Sequence, residues 1–107
     1  MTDAIEKSRQ YCRHVARSRA RNFYYSFLLL PKPERDAMCA IYAFMRYCDD
    51  LSDEPPQGDA RRAIERWSAD LERALAGDAP PHPVWPAFCV TVERYRIPHE
   101  YFRQMIA

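Results

Sequence analysis

The placement of helix-breaking residues constrains this chain more than any other feature. Proline occurs only at positions 31, 33, 55, 56, 80, 81, 83, 86 and 98, and glycine only at 58 and 77. Proline lacks the N–H that a helix interior needs and clashes with the preceding turn, while glycine weakens a helix by about 1 kcal/mol. The stretches between these breakers are free to be helical, and the breakers themselves mark stiff loops. With 48% hydrophobic residues the chain has material for a packed core and does not read as a disordered tail. An all-α bundle is the expectation.

The pattern predicts four or five helical segments. The first runs from Asp3 to Ala20 with a weak apolar stripe of Ile5, Cys12, Val15 and Ala16. An aromatic run, Asn22 to Leu30, follows and is expected to be a helical or irregular core segment rather than a strand, because no partner strand is in view. The next helix starts near Pro33, with Glu34 and Asp36 suited to its positive end, and stops before Pro55-Pro56. Another spans Asp59 to Ala76, capped by Asp59 and closed by Gly77, with Ala63, Ile64, Trp67, Leu71, Ala74 and Leu75 at helical spacing. A fourth covers Pro83 to Arg96. The fifth begins at Pro98, and its apolar pattern of Tyr101, Phe102, Met105 and Ile106 continues to the last residues without a stop signal. A helix that ends mid-pattern is expected to belong to a truncated chain.

Charge and cysteine usage narrow the classes. Sixteen Lys and Arg against fifteen Asp and Glu give a net charge of +1, which argues against a nucleic-acid binder. Cys12, Cys39, Cys48 and Cys89 have no CxxC spacing and sit in apolar stretches, so they read as reduced thiols of a cytoplasmic protein. The longest uncharged apolar run, Met38 to Met45, is far shorter than the ~20 residues of a membrane span. Peripheral contact with a membrane surface stays open. His14, His82 and His99 are isolated and read as surface or loop residues, Trp67 and Trp85 as packing, and Arg61-Arg62 as a solvated face.

One helix carries the chemistry. Between Ala37 and Cys48 its only charged residue is Arg46, so it is expected to be buried on all sides. It then ends in Asp49-Asp50-Leu51-Ser52-Asp53-Glu54, four carboxylates in six residues. The helix dipole disfavours negative charge there by about 0.3–1 kcal/mol per exposed group, and Asp49 and Asp53 repel each other at i,i+4. At about 100° per residue, Tyr42, Arg46, Asp49 and Asp53 fall within a stripe of roughly 60°. Paired carboxylates suit Mg2+, which takes oxygen ligands and bridges to substrate phosphates, and an arginine one turn away can grip a diphosphate. The competing reading is a solvated acidic helix end, with Arg46 paired to Asp49 or Asp50 inside the helix.

Asn22-Phe23-Tyr24, Leu29-Leu30-Pro31, Arg35, Tyr42-Ala43-Phe44-Met45-Arg46 and Asp49-Asp50-Leu51-Ser52-Asp53-Glu54, in this order and spacing, resemble the opening of squalene and phytoene synthases, including the bacterial presqualene diphosphate synthases. The resemblance implies an isoprenoid synthase helical bundle, of which this chain is the N-terminal portion. It implies that Asp49 and Asp53 are the first aspartate motif, holding Mg2+ on a prenyl diphosphate, and that Arg46 and Tyr42 contact that diphosphate. Positions 19–22, here Arg19-Ala20-Arg21-Asn22, match a stretch that contacts diphosphate at the other end of the cavity, where family members often carry serines; Arg21 and Asn22 would donate to phosphate there, and Phe23 would line the hydrocarbon cavity. Phe23, Tyr24, Phe27 and Phe44 are aromatic candidates for stabilising a carbocation.

The activity so implied is head-to-head (1′-1) condensation of two prenyl diphosphates, with farnesyl diphosphate going to presqualene diphosphate or squalene as the first choice. NADPH enters only if squalene is the product. Geranylgeranyl diphosphate going to phytoene is the alternative. The second aspartate motif of the family lies beyond these residues, so 1–107 alone are expected to be inactive. A non-catalytic helical interaction module is the reading of a different class.

Overall fold

Among the described residues of this computed structural model, 2–53 and 59–106, the chain forms six α-helices and one π-helical turn. They are α1 (Thr2–Val15), the π turn (Ala16–Ala20), α2 (Asn22–Phe27), α3 (Lys32–Asp53), α4 (Ala60–Leu75), α5 (Trp85–Tyr95) and α6 (His99–Ile106). Glu54 and Pro55-Pro56, where the sequence ends the acidic run and stops the helix, lie outside the described residues.

Helix ends follow their local chemistry. The Asp59 carboxylate accepts the Arg62 N–H at 3.1 Å and caps α4. At the other end Gly77, at φ +91°, lets Asp78 N–H return to the Arg73 carbonyl at 2.9 Å. Helix α5 closes differently. Arg96 takes the left-handed conformation (φ 51°, ψ 47°), and Ile97 N–H reaches the Val92 carbonyl at 3.1 Å. Pro31 starts α3 by accepting Arg35 N–H at 2.9 Å, and the Arg35 guanidinium reaches back to the Leu30 carbonyl at 3.4 Å.

Helix α3 is the hub, packing against α1, α4 and α5. One of its faces, Cys39, Ala40, Ala43, Phe44, Cys48 and Leu51, is buried. Phe44 stacks on Phe88 with centroids 4.5 Å apart, lies 6.0 Å from both Trp67 and Trp85, and meets the edge of Phe102 at 5.7 Å. A single side chain thus ties α3 to α4, α5 and α6. Ser8 joins α1 to the start of α5: its hydroxyl donates to the Pro83 carbonyl at 2.5 Å and accepts Ala87 N–H at 2.9 Å. On the surface, Arg103 of α6 grips Glu72 of α4 at 2.7 and 3.0 Å.

Three expectations are corrected. The first helix is not α-helical as far as Ala20. Its last turn widens to i→i+5 bonding, with Ala16 and Ala20 both buried, and it breaks at Arg21. Periodicity cannot separate i+4 from i+5 bonding over a single turn. The Asn22–Leu30 run is not core. No residue of α2 is buried, and Phe23, Tyr25, Leu28 and Leu29 are exposed. Only Tyr24 and Phe27, one helical turn apart, turn inward against the core, where Phe27 meets Tyr42. Finally, α3 is not buried on every side, because Met38 and Met45 are each 41% exposed.

The four cysteines are free thiols, with Cys12, Cys39 and Cys48 buried and Cys89 half-buried. Burial pushes Cys12 up to about 12 and Cys39 and Cys48 up to about 11, so they stay protonated and unreactive. No helix among the described residues is long and apolar enough to cross a membrane.

Candidate functional site

Burial of Cys48 and Leu51 fixes the rotation of the last turns of α3, so Arg46, Asp49, Asp50 and Asp53 emerge together on the other side. Arg46 is their centre. Its Nε donates to Asp50 Oδ1 at 3.2 Å, while its Nη2 stands 3.9 Å from Asp49 Oδ2 and 3.7 Å from Asp53 Oδ2. The intrahelical pairing that the sequence allowed is therefore present, but unevenly: one hydrogen bond and two longer ionic contacts.

Asp50 is also held from α1's side of the bundle. Arg19, in the π turn, meets it as a fork, Nη2 to Oδ1 at 3.0 Å and Nη1 to Oδ2 at 3.2 Å. Burial pushes the Asp50 carboxyl up, but the hydrogen bonds and charges of Arg19 and Arg46 outweigh it and hold the group below the usual carboxylate range. These three residues line a cavity of about 210 Å³ between α1, the π turn and α3, with Tyr11, His14, Val15, Ser18, Ala43 and Tyr47 completing its walls. Arg19 and Arg46 meet at Asp50 on the wall of this cavity, and Asp49 and Asp53 stand within 4 Å of Arg46 beside it.

The remaining site candidates fall elsewhere. Tyr42 is half-buried and meets Phe27 edge-on, with centroids 6.5 Å apart. Arg21 is exposed at φ 51°, ψ −111°, a strained corner for a residue with a Cβ. Asn22 is exposed beside it, and Phe23 is 73% exposed. Of the aromatic candidates, Phe44 is wholly buried and serves the core, while Tyr24 and Phe27 are half-buried. The structure therefore gathers Arg46, Asp49 and Asp53, and the partner it adds is Arg19 rather than Arg21.

Sequence reasoning missed the Arg19–Asp50 fork and the cavity beside it. Position 19 lies 31 residues from Asp50, and only a tertiary contact reveals the pair. The available signals are the excess of arginines before residue 22 and the place of Arg19 in the 19–22 stretch that resembles a diphosphate-contacting segment.

Mg2+ takes hard oxygen ligands. Asp49 and Asp53 offer hard carboxylate oxygens on side chains 64% and 73% exposed, held by Arg46 only through long contacts. Among the described residues no group of three or more His, Cys, Asp or Glu is placed to hold a metal. A pair of carboxylates fits an ion that completes its shell with water and substrate phosphate oxygens, rather than one caged by protein alone.

The family model described as squalene/phytoene synthase matches residues 16–107. The 15-cis-phytoene synthase of Synechococcus elongatus is 33% identical over 104 residues, covering 96% of this chain and 33% of that protein. The presqualene diphosphate synthase of Zymomonas mobilis is 36% identical over 75 residues, covering 68% of this chain and 26% of that protein. The crystal structure of squalene synthase HpnC from Alicyclobacillus acidocaldarius superposes with a TM-score of 0.85 at 33% identity, covering 95% of this chain and 38% of that one. The chain spans about a third of the length of the relatives it matches. With the helical arrangement, the acidic end of α3 and these matches in agreement, the chain belongs to the squalene/phytoene synthase family.

Proposed function

We propose that this chain supplies one wall of the active site of a prenyltransferase that condenses two prenyl diphosphates head to head. The carrying observation is Arg46 set among Asp49, Asp50 and Asp53 at the end of α3, on a fold that its family shares. Asp49 and Asp53 would hold Mg2+. When bound, the ion supplies positive charge that neutralises the departing diphosphate.

The chain's own residues account for the rest. Arg46 donates to diphosphate oxygens as negative charge builds on the leaving group, and Arg19 adds a second guanidinium across the cavity. Tyr42, Arg21 and Asn22 are proposed contacts of the diphosphate region. The exposed faces of Phe23 and Met45 offer apolar surface from which water can be excluded once a prenyl chain lies on them. This reading places the protein in the cytoplasm with peripheral access to lipid-borne products, and it places residues 1–107 at the N-terminal end of a longer domain.

Farnesyl diphosphate is the proposed substrate, with presqualene diphosphate or squalene as product, NADPH being required only for squalene. The relative from Zymomonas mobilis, named for presqualene diphosphate, supports it. A second reading, geranylgeranyl diphosphate going to phytoene, is supported by the phytoene synthase relative that matches nearly the whole chain. Incubating the full-length encoded protein with Mg2+ and each diphosphate separately decides between them by the carbon count of the product. Release of diphosphate without any coupled product from either substrate would overturn the proposal.

A further inference from the structure

Asp50 sits between two carboxylates assigned to a metal, yet its own oxygens are both engaged by guanidinium groups. Oδ1 accepts from Arg19 Nη2 and Arg46 Nε, and Oδ2 accepts from Arg19 Nη1, all between 3.0 and 3.2 Å. Asp49 and Asp53 have no such forked partner in this cluster: their contacts to Arg46 Nη2 are 3.9 and 3.7 Å long. Arg46 is also the least exposed of the four, at 25% against 64%, 40% and 73% for Asp49, Asp50 and Asp53.

We propose that Asp50 is a positioning residue that anchors Arg46 by its Nε and so keeps the guanidinium from closing onto Asp49 and Asp53. The inference rests on the reading of Asp49 and Asp53 as metal ligands. An arginine within 4 Å of two carboxylates is drawn to a forked pair with one of them, and that pair would compete directly with a cation. Asp50 prevents this because its bond to Nε fixes the base of the guanidinium. Arg19 in turn fixes Asp50 from the π turn, so the carboxylate cannot swing to follow Arg46. The distance between α1 and α3 thereby sets where Arg46 can reach. The first member of the Asp49-Asp50 doublet and its neighbour have opposite duties, one facing the ion and the other facing the arginines.

The test is a double-mutant cycle read by Mn2+ binding in the presence of inorganic diphosphate, followed by electron paramagnetic resonance on the full-length encoded protein. Asp50→Asn is isosteric at a side chain 40% exposed, and a retained melting transition confirms that it folds. Asp50→Asn should weaken Mn2+ half-saturation by about tenfold, and by less than about twofold when Arg46→Ala is already present. A loss of equal size in both backgrounds would mean that Asp50 acts by its own charge or as a ligand, and would overturn the proposal. If Mn2+ binding survives Asp49→Asn/Asp53→Asn, the metal assignment fails first and takes the positioning role with it; the cycle failing alone leaves the metal assignment standing.

Discussion

Single side chains set both the stability of this bundle and its response to pH. Phe44 touches aromatic partners from three other helices and is fully buried, so Phe44→Ala should cost about 3–5 kcal/mol, measured by denaturant unfolding. Ser8→Ala should cost about 1–3 kcal/mol because it strands the buried Ala87 N–H and the Pro83 carbonyl together. His82 is less obvious. It lies among Tyr11, Tyr47 and Trp67, and its Nδ1 accepts the Val84 N–H at 3.2 Å, which requires an unprotonated nitrogen. Burial lowers its pKa below the ordinary 6.5, with Asp70 opposing. A lowered pKa means that the unfolded chain binds the proton first. The stabilisation from His82 is therefore complete above 6.5 and is lost as the pH falls through the folded-state value. The melting temperature should drop between pH 7.5 and 5.5, and His82→Asn, which keeps an acceptor near Nδ1, should reduce that drop; equal drops would show that another group is responsible. At this scale the sequence was legible wherever the chemistry is local. Asp49, Asp53 and Arg46 stand within two helical turns of each other, so spacing alone grouped them. Arg19, Ser8 and His82 act across the fold, and nothing in their neighbours announces it.

Helices were legible in proportion to their length and to the clarity of their ends. Asp59 and Gly77 bracket α4 as their chemistry requires, and the apolar spacing of α3, α4 and α5 marks their buried faces. The misjudged element is α2. Its composition is that of a core segment, yet six residues offer the interior only one face, and Phe23, Tyr25, Leu28 and Leu29 remain outside. Hydrophobicity reports what a residue tolerates, while exposure depends on which neighbours are there to cover it. The π turn was equally hidden, since its effect is a tertiary one: it carries Arg19 to Asp50 while keeping Ala16 and Ala20 against the bundle. Two corners hold residues with Cβ atoms at positive φ, Arg21 and Arg96. At Arg96 both angles are those of a helix-terminating glycine, so Arg96→Gly should raise stability by roughly 0.5–1 kcal/mol, the relief of strain exceeding the added freedom of the unfolded chain. Differential scanning calorimetry reads this directly, and a lower melting temperature would contradict it.

Across the whole molecule, α3 divides two kinds of surface. One side is packed into an aromatic core with α4, α5 and α6. Its last turns present carboxylates and an arginine beside the cavity that Arg19 and Asp50 share, and Met38 and Met45 lie open along its length. A packed face behind exposed charges suits the function proposed above, since preorganised charge stabilises a leaving group without reorganising. The family and the helical class were legible from the order of short motifs, and the central claim built on them concerns two residues. It is tested most directly by Mg2+-dependent binding of farnesyl thiodiphosphate, a non-reactive analogue, to the full-length encoded protein and to its Asp49→Asn/Asp53→Asn variant. Binding that requires Mg2+ and is lost at least tenfold in the variant is the predicted result. Binding of equal strength in the variant, or binding indifferent to Mg2+, would contradict the account.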